Sequence, residues 1–84
     1  MLIAAILLQA AAGDVVVVAR NSCDLSVAGK AVRGKALDRY AAEWRAGRPV
    51  RIMVPAALRT RCLAKVMFRL HDRGVTRADF IDAP

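Results

Sequence analysis

Apolar residues recur along this chain with a period of two in some segments and with a helical period in others. A continuous β-branched run over residues 15–19 and the alternation over residues 25–27 are typical of two strands joined in a hairpin. Residues 50–54 carry the same alternation, and residues 75–81 form a last apolar segment after a glycine. The pattern therefore predicts four strands in this chain.

Two segments between these strands carry apolar residues at helical spacing. The first predicted helix, residues 34–46, ends before Gly47, and the second, residues 57–72, ends before Gly74. The first helix is expected to bury Leu37, Tyr40, Ala41 and Trp44. The second is expected to bury Leu63, Val66, Met67 and Leu70, with Cys62 and Phe68 at the margins. The order β-β-α-β-α-β predicts an α+β fold, with a mixed four-stranded sheet and two helices on one face.

Residues 1–12, MLIAAILLQAAA, combine an apolar run with the small residues that precede a signal-peptide cleavage site. This pattern predicts a secretory signal peptide that is cut after Ala12. The segment is short and has no Lys or Arg before the apolar run, which a longer N-terminus would explain; the alternative is a buried strand or helix of the fold. A stably inserted membrane helix needs about 20 apolar residues, more than this run supplies. Residues 13–84 are expected to form a single domain.

The charge is strongly basic, because 14 Lys and Arg face seven Asp and Glu, for a net charge of +7. A basic surface favours nucleic acid, anionic lipid or an acidic polymer or protein, without choosing among them. The chain has only two Phe, one Trp and one Tyr. All four aromatic residues are expected at core positions, so a base-stacking platform is not favoured.

Four cations spaced by four residues follow one side of the second predicted helix: Arg61, Lys65, Arg69 and Arg73. We call them the basic stripe. Such a stripe is either the solvated face of an amphipathic helix or a landing surface for an anionic partner. Like charges at this spacing repel by roughly 0.2–0.5 kcal/mol per pair. A bound anion would offset that repulsion, which favours the partner-binding interpretation.

Cys23 and Cys62 are the two cysteines of the chain, and in an exported protein such a pair indicates a disulfide. If the second and third predicted strands are parallel, however, the two cysteines fall at opposite ends of the sheet, and both would stay unpaired. His71 has no positioned catalytic partner and sits in the last turn of a helix, where a cation is favourable. The spacings match no zinc site and no phosphate loop. We therefore expect no metal, no cofactor and no enzymatic activity.

Three stretches together suggest a family. VVVVA with LSVAGKAV, ALDRYAAEW with GRPVRIMV, and LAKVMFRLHDRGVTRADFI resemble the periplasmic domain of the ExbD/TolR family of biopolymer-transport proteins, over residues 15–81. The resemblance implies a periplasmic binding or dimerising module. Two features depart from the family. The chain lacks a full membrane helix with its proton-handling Asp, and VPAALRTRC replaces the usual acidic and aromatic residues after the third predicted strand.

These observations predict a small exported, non-enzymatic domain of the periplasm or cell envelope. Its expected partner is an envelope protein or an anionic polymer, bound through the basic stripe. The same resemblance implies homodimer formation. The alternative is a cytoplasmic nucleic-acid-binding module that uses the same stripe and keeps residues 1–12 as a structural strand.

Overall fold

The computed structural model describes residues 13–83, which form an α+β domain with a mixed five-stranded sheet and two helices. In chain order, its elements are β1 (Asp14–Val18), β2 (Leu25–Val27), β3 (Lys30–Val32), α1 (Lys35–Arg45), β4 (Val50–Val54), α2 (Thr60–Asp72) and β5 (Asp79–Asp82). The strand order across the sheet is β3-β2-β1-β4-β5. The central strand β1 pairs antiparallel with β2 and parallel with β4, and β4 pairs parallel with β5. The predicted α+β class and mixed sheet are confirmed.

The prediction of four strands is wrong, because residues 30–32 form a further strand. Ala28 and Gly29 both have positive φ values, 52° and 81°, and reverse the chain in a two-residue turn. Lys30–Val32 then runs back along β2, with Val27 opposite Lys30. Two positive φ values suit the twist of a tight hairpin. The sequence does not predict this turn, because Ala-Gly lacks the Asn or Asp that is typical of its first position.

One face of the sheet is buried and the other is open. In β1, Val16 and Val18 are buried while Val15 and Val17 are 50% and 45% exposed. The buried residues of α1 (Leu37, Ala41, Trp44) and of α2 (Cys62, Val66, Leu70) join one core with the inward side chains of β1, β2 and β4. Both helices therefore cover the same face. Neither helix in residues 13–83 is long and apolar enough to cross a membrane.

The apolar stripe predicted for the second helix is partly wrong. Val66 and Leu70 are buried as predicted, but the third fully buried position of α2 is Cys62, and Met67 is 52% exposed. At 3.6 residues per turn, this difference corresponds to a rotation of roughly 50° about the helix axis. The helix also begins at Thr60, three residues later than predicted. The rotation leaves Met67 on the surface.

Asp14 holds the start of β1 against the end of α1. Its carboxylate accepts hydrogen bonds from Trp44 Nε1 at 2.8 Å and from Arg48 Nε and Nη2 at 3.0 and 3.2 Å. Its backbone N–H donates to the carbonyl oxygen of Pro49 at 2.9 Å. These contacts tie the central strand to α1 and to the loop before β4, and they give the buried indole N–H an acceptor.

Candidate partner-binding surface on the second helix

The basic stripe divides into two halves with different surroundings. Arg61 and Lys65 are exposed, and neither belongs to any of the ion pairs found among residues 13–83. Arg69 and Arg73 are partly buried instead. The stripe is therefore not a uniform solvated face, and only its N-terminal half presents free cations.

The C-terminal half of the stripe makes contacts inside the domain. Arg69 Nη1 donates to the carbonyl oxygen of Cys23 at 3.2 Å, and Arg73 Nε donates to Asp38 Oδ1 at 2.8 Å. Arg45 Nη1 in turn donates to the carbonyl oxygen of Arg73 at 2.9 Å. Because the Asp38 side chain is 61% exposed, its ion pair is worth at most about 1 kcal/mol. Together these bonds connect α2 to α1 and to the β1–β2 turn.

An apolar groove lies between α2 and β5, beside the free half of the stripe. Its walls are formed by Met67, Phe68 and His71 of α2 and by Thr76, Ala78 and Phe80 of the following loop and β5. The groove has a volume of about 500 Å³. Phe68 is 70% exposed and Phe80 is 41% exposed. We call this feature the α2–β5 groove.

The expectation that all four aromatic residues occupy core positions is wrong for Phe68 and Phe80. Phe68 is two residues, or about 200° around the helix, from both Val66 and Leu70, so helical spacing itself places it on the side of α2 opposite the buried face. Phe80 pairs with the buried Ile52 and so shares its face, but β5 is an edge strand of the sheet that residues 13–83 form. Large exposed apolar side chains that are close together mark interaction sites more often than those that are scattered singly.

Free cations and exposed apolar side chains meet along α2. Lys65 precedes Phe68 by three residues and Arg61 precedes it by seven, so all three positions lie on neighbouring parts of the helix surface. Ala64, which also lines the groove, lies between them in the sequence. A partner seated in the groove would therefore come within reach of both cations.

Cys23 and Cys62 are joined in a disulfide, with 5.3 Å between their Cα atoms. The expectation that the two residues fall at opposite ends of the sheet is wrong, because β2 is antiparallel to β1 while β4 is parallel to it. The β1–β2 turn, which holds Cys23, thus lies at the same end as the start of α2. Closing a loop of 39 residues stabilises a fold by about 4 kcal/mol in the chain-entropy model.

The remaining chemistry of the described residues is sparse. His71, which we expected to be non-catalytic, is exposed and lines the α2–β5 groove. Among residues 13–83, no group of three or more His, Cys, Asp or Glu side chains is arranged to hold a metal ion. The surface of α2 is thus the part of the described chain where sequence-predicted residues and exposed apolar side chains come together.

Comparisons with known proteins add no identification. No protein-family model matches the chain, and no curated protein sequence or solved structure matches it either. The resemblance to the ExbD/TolR family therefore stays a prediction from the residue patterns. Function has to be argued from the surface described above.

Proposed function

We propose that this chain is a small exported domain, not an enzyme, that binds an anionic partner in the periplasm or cell envelope. The observation that carries this proposal is the position of Arg61 and Lys65. Both cations are free of intramolecular ion pairs among the described residues, and both lie next to Phe68, which is 70% exposed. A free cation beside an exposed aromatic ring is a common composition for a binding surface.

Export is supported by two further features. Disulfides persist in oxidising compartments and are rare in the cytosol, so the Cys23–Cys62 bond favours a location outside the cytoplasm. The signal-like pattern of residues 1–12 points the same way. A cut after Ala12 would leave the whole of β1, with the contacts of Asp14 described above, in the mature domain.

The ExbD/TolR resemblance enters the proposal as its family hypothesis. Its support is the order of elements, in which a strand hairpin, helix, strand, amphipathic helix and closing strand follow one another, with β3 as an additional strand after the hairpin. The family hypothesis adds an envelope protein or anionic polymer as the partner class and homodimer formation as a property to measure. The absence of the family's acidic and aromatic pattern in VPAALRTRC leaves α2 as the better-supported contact surface.

The test compares two charge variants of equal net charge. Arg61→Gln/Lys65→Gln removes the free half of the stripe, and Arg20→Gln/Arg39→Gln removes two exposed arginines elsewhere; each lowers the net charge from +7 to +5. Arg69 and Arg73 stay unchanged because their side chains already make hydrogen bonds inside the domain. We expect binding of poly-glutamate and of dextran sulfate, followed by fluorescence anisotropy, to weaken about fivefold in the first variant only.

The urea midpoint of both variants should equal that of the unchanged protein, because all four side chains are exposed. Equal weakening in the two variants would mean that net charge alone attracts the probes. That result would contradict a binding site on α2.

The nucleic-acid alternative keeps one supporting observation, since Phe68 is exposed beside Arg61 and Lys65 and could stack on a base. A nucleic-acid partner predicts that affinity falls steeply and linearly with the logarithm of salt concentration. Tighter binding of an oligonucleotide than of poly-glutamate at the same salt concentration would favour this alternative over the main proposal.

A further inference from the structure

We infer that the partner is an acidic polypeptide segment that inserts a bulky apolar side chain into the α2–β5 groove. This inference rests on the proposed function and goes further, because it selects a polypeptide over an anionic polymer. It follows from three observations: the apolar lining of the groove, its size, and the cations around it.

The groove is built to accept apolar side chains. Leu70 and Val75, which are 2% and 6% exposed, contribute to its lining. The more exposed side chains of Met67, Phe68 and Phe80 complete the apolar walls. A volume of about 500 Å³ lies within the range of sites that take ligand groups. Filling the groove with a leucine or phenylalanine side chain would remove apolar surface from water on both partners, which favours binding.

The charges around the groove select an acidic segment. Between residues 59 and 77, the chain carries six Lys and Arg but only one acid, Asp72. Arg61, Lys65 and Arg77 take part in none of the ion pairs among the described residues. Arg77 lies between Thr76 and Ala78 in the sequence but lines a separate cavity with Arg45 and Arg48, so the cations beside the groove are Arg61 and Lys65. Carboxylates next to an apolar anchor would thus meet the free cations Arg61 and Lys65 along the α2 wall.

The same arrangement disfavours a polymer of regularly spaced anions. The lining of the groove includes neither Lys nor Arg, so a chain of phosphates or sulfates would follow the cations and leave the groove empty. A peptide instead alternates apolar and acidic side chains along a short length. In this recognition mode, one apolar side chain of the peptide fills the groove and its acidic side chains pair with the surrounding cations.

The experiment begins with a phage-displayed library of random short peptides, selected on the purified protein at physiological salt. We expect the enriched peptides to combine acidic residues with at least one bulky apolar residue. A synthetic enriched peptide is then titrated against the protein, against Phe68→Ser and against Val15→Ser. Val15 is the matched control, because it is an apolar side chain 50% exposed on the open face of the sheet.

The peptide should bind Phe68→Ser about tenfold more weakly and bind Val15→Ser unchanged. Replacing the apolar residue of the peptide by serine should weaken its binding to the unchanged protein by a similar factor. Amide chemical shifts should move at residues that line the groove, including Ala78 and Phe80. The exposure of Phe68 makes it a safe position for the substitution, and the urea midpoint of each variant confirms that it is folded.

Three results would overturn the inference. Enriched peptides without apolar residues, or equal binding by Phe68→Ser, would reject the groove while leaving the proposed anionic partner in place. Tighter, Phe68-dependent binding of single-stranded oligothymidylate would replace the peptide by a nucleic acid. Failure of the protein to enrich any peptide and to bind poly-glutamate or dextran sulfate would reject both the inference and the proposed function.

Discussion

The carboxylate of Asp14 accepts hydrogen bonds from Trp44 and Arg48, which are 30 and 34 residues away in the sequence. Its side chain is only 11% exposed, although Arg48 is 50% exposed. Burial by itself raises the pKa of Asp14, but the hydrogen bonds from Arg48 and Trp44 and the charge of Arg48 lower it by more. The net pKa of Asp14 therefore lies below its ordinary value of 3.8.

This shift predicts a pH-dependent contribution to stability. Because the pKa of Asp14 is lower in the folded than in the unfolded chain, its stabilising effect is complete well above pH 3.8 and is lost as the pH falls through the folded-state pKa. Asp14→Asn should lower the free energy of unfolding by about 1 kcal/mol at neutral pH. The difference between the two proteins should shrink as the pH falls below 3.8.

The measurement is urea unfolding of both proteins at a series of pH values, with the disulfide intact. Asp38→Asn is a suitable control, because the side chain of Asp38 is 61% exposed and its one ion pair among residues 13–83 is with Arg73. A difference between Asp14→Asn and the unchanged protein that stays constant from neutral to acid pH would contradict the role given to Asp14.

At the scale of elements, the orientation of α2 determines which of its apolar side chains are exposed on the surface of the domain. The helix buries Cys62, Val66 and Leu70 and leaves Met67 and Phe68 facing outward. The disulfide to the β1–β2 turn and the bond from Arg69 to Cys23 both fix this orientation. The same rotation that brings Cys62 into the core thus creates one wall of the α2–β5 groove.

The orientation of α2 predicts unequal effects of two neighbouring substitutions. Val66 is fully buried and Met67 is 52% exposed, although helical periodicity places both on the apolar stripe. Val66→Ala should lower the free energy of unfolding by about 1–3 kcal/mol, and Met67→Ala by less than about 1 kcal/mol. Urea unfolding measures both. A larger loss for Met67→Ala would mean that the helix is turned toward the face that the sequence predicts.

At the scale of the whole molecule, local patterns predict most elements but not how they meet. The hairpin β1–β2, both helices, and β4 follow from periodicity and from Gly47 and Gly74 at the helix ends. The strand β3 does not, because Ala28 and Gly29 carry no strong turn signal. The prediction that Cys23 and Cys62 lie at opposite ends of the sheet is wrong, because the relative direction of β2 and β4 depends on β1, which lies between them.

The binding surface was only half predictable for the same reason. The sequence identifies four equivalent cations on α2, and their equal spacing gives no ground for separating them. The partners that engage Arg73 and Arg69 lie 35 and 46 residues away, at Asp38 and Cys23. The exposure of Phe68, by contrast, follows from helical spacing, because Phe68 lies two residues from both Val66 and Leu70 and so on the opposite side of α2. Only the packed fold shows that Arg61 and Lys65 are left beside an apolar groove.

The measurement that tests an exported binding domain most directly is the intact mass of the protein from fractions of its native cells. We predict a chain that begins at Gly13, found in the envelope fraction, with the mass of the disulfide form rather than that of the dithiol. A full-length, reduced chain in the cytosol would contradict the account. Nucleic acid would then become the first partner to test at Arg61, Lys65 and Phe68.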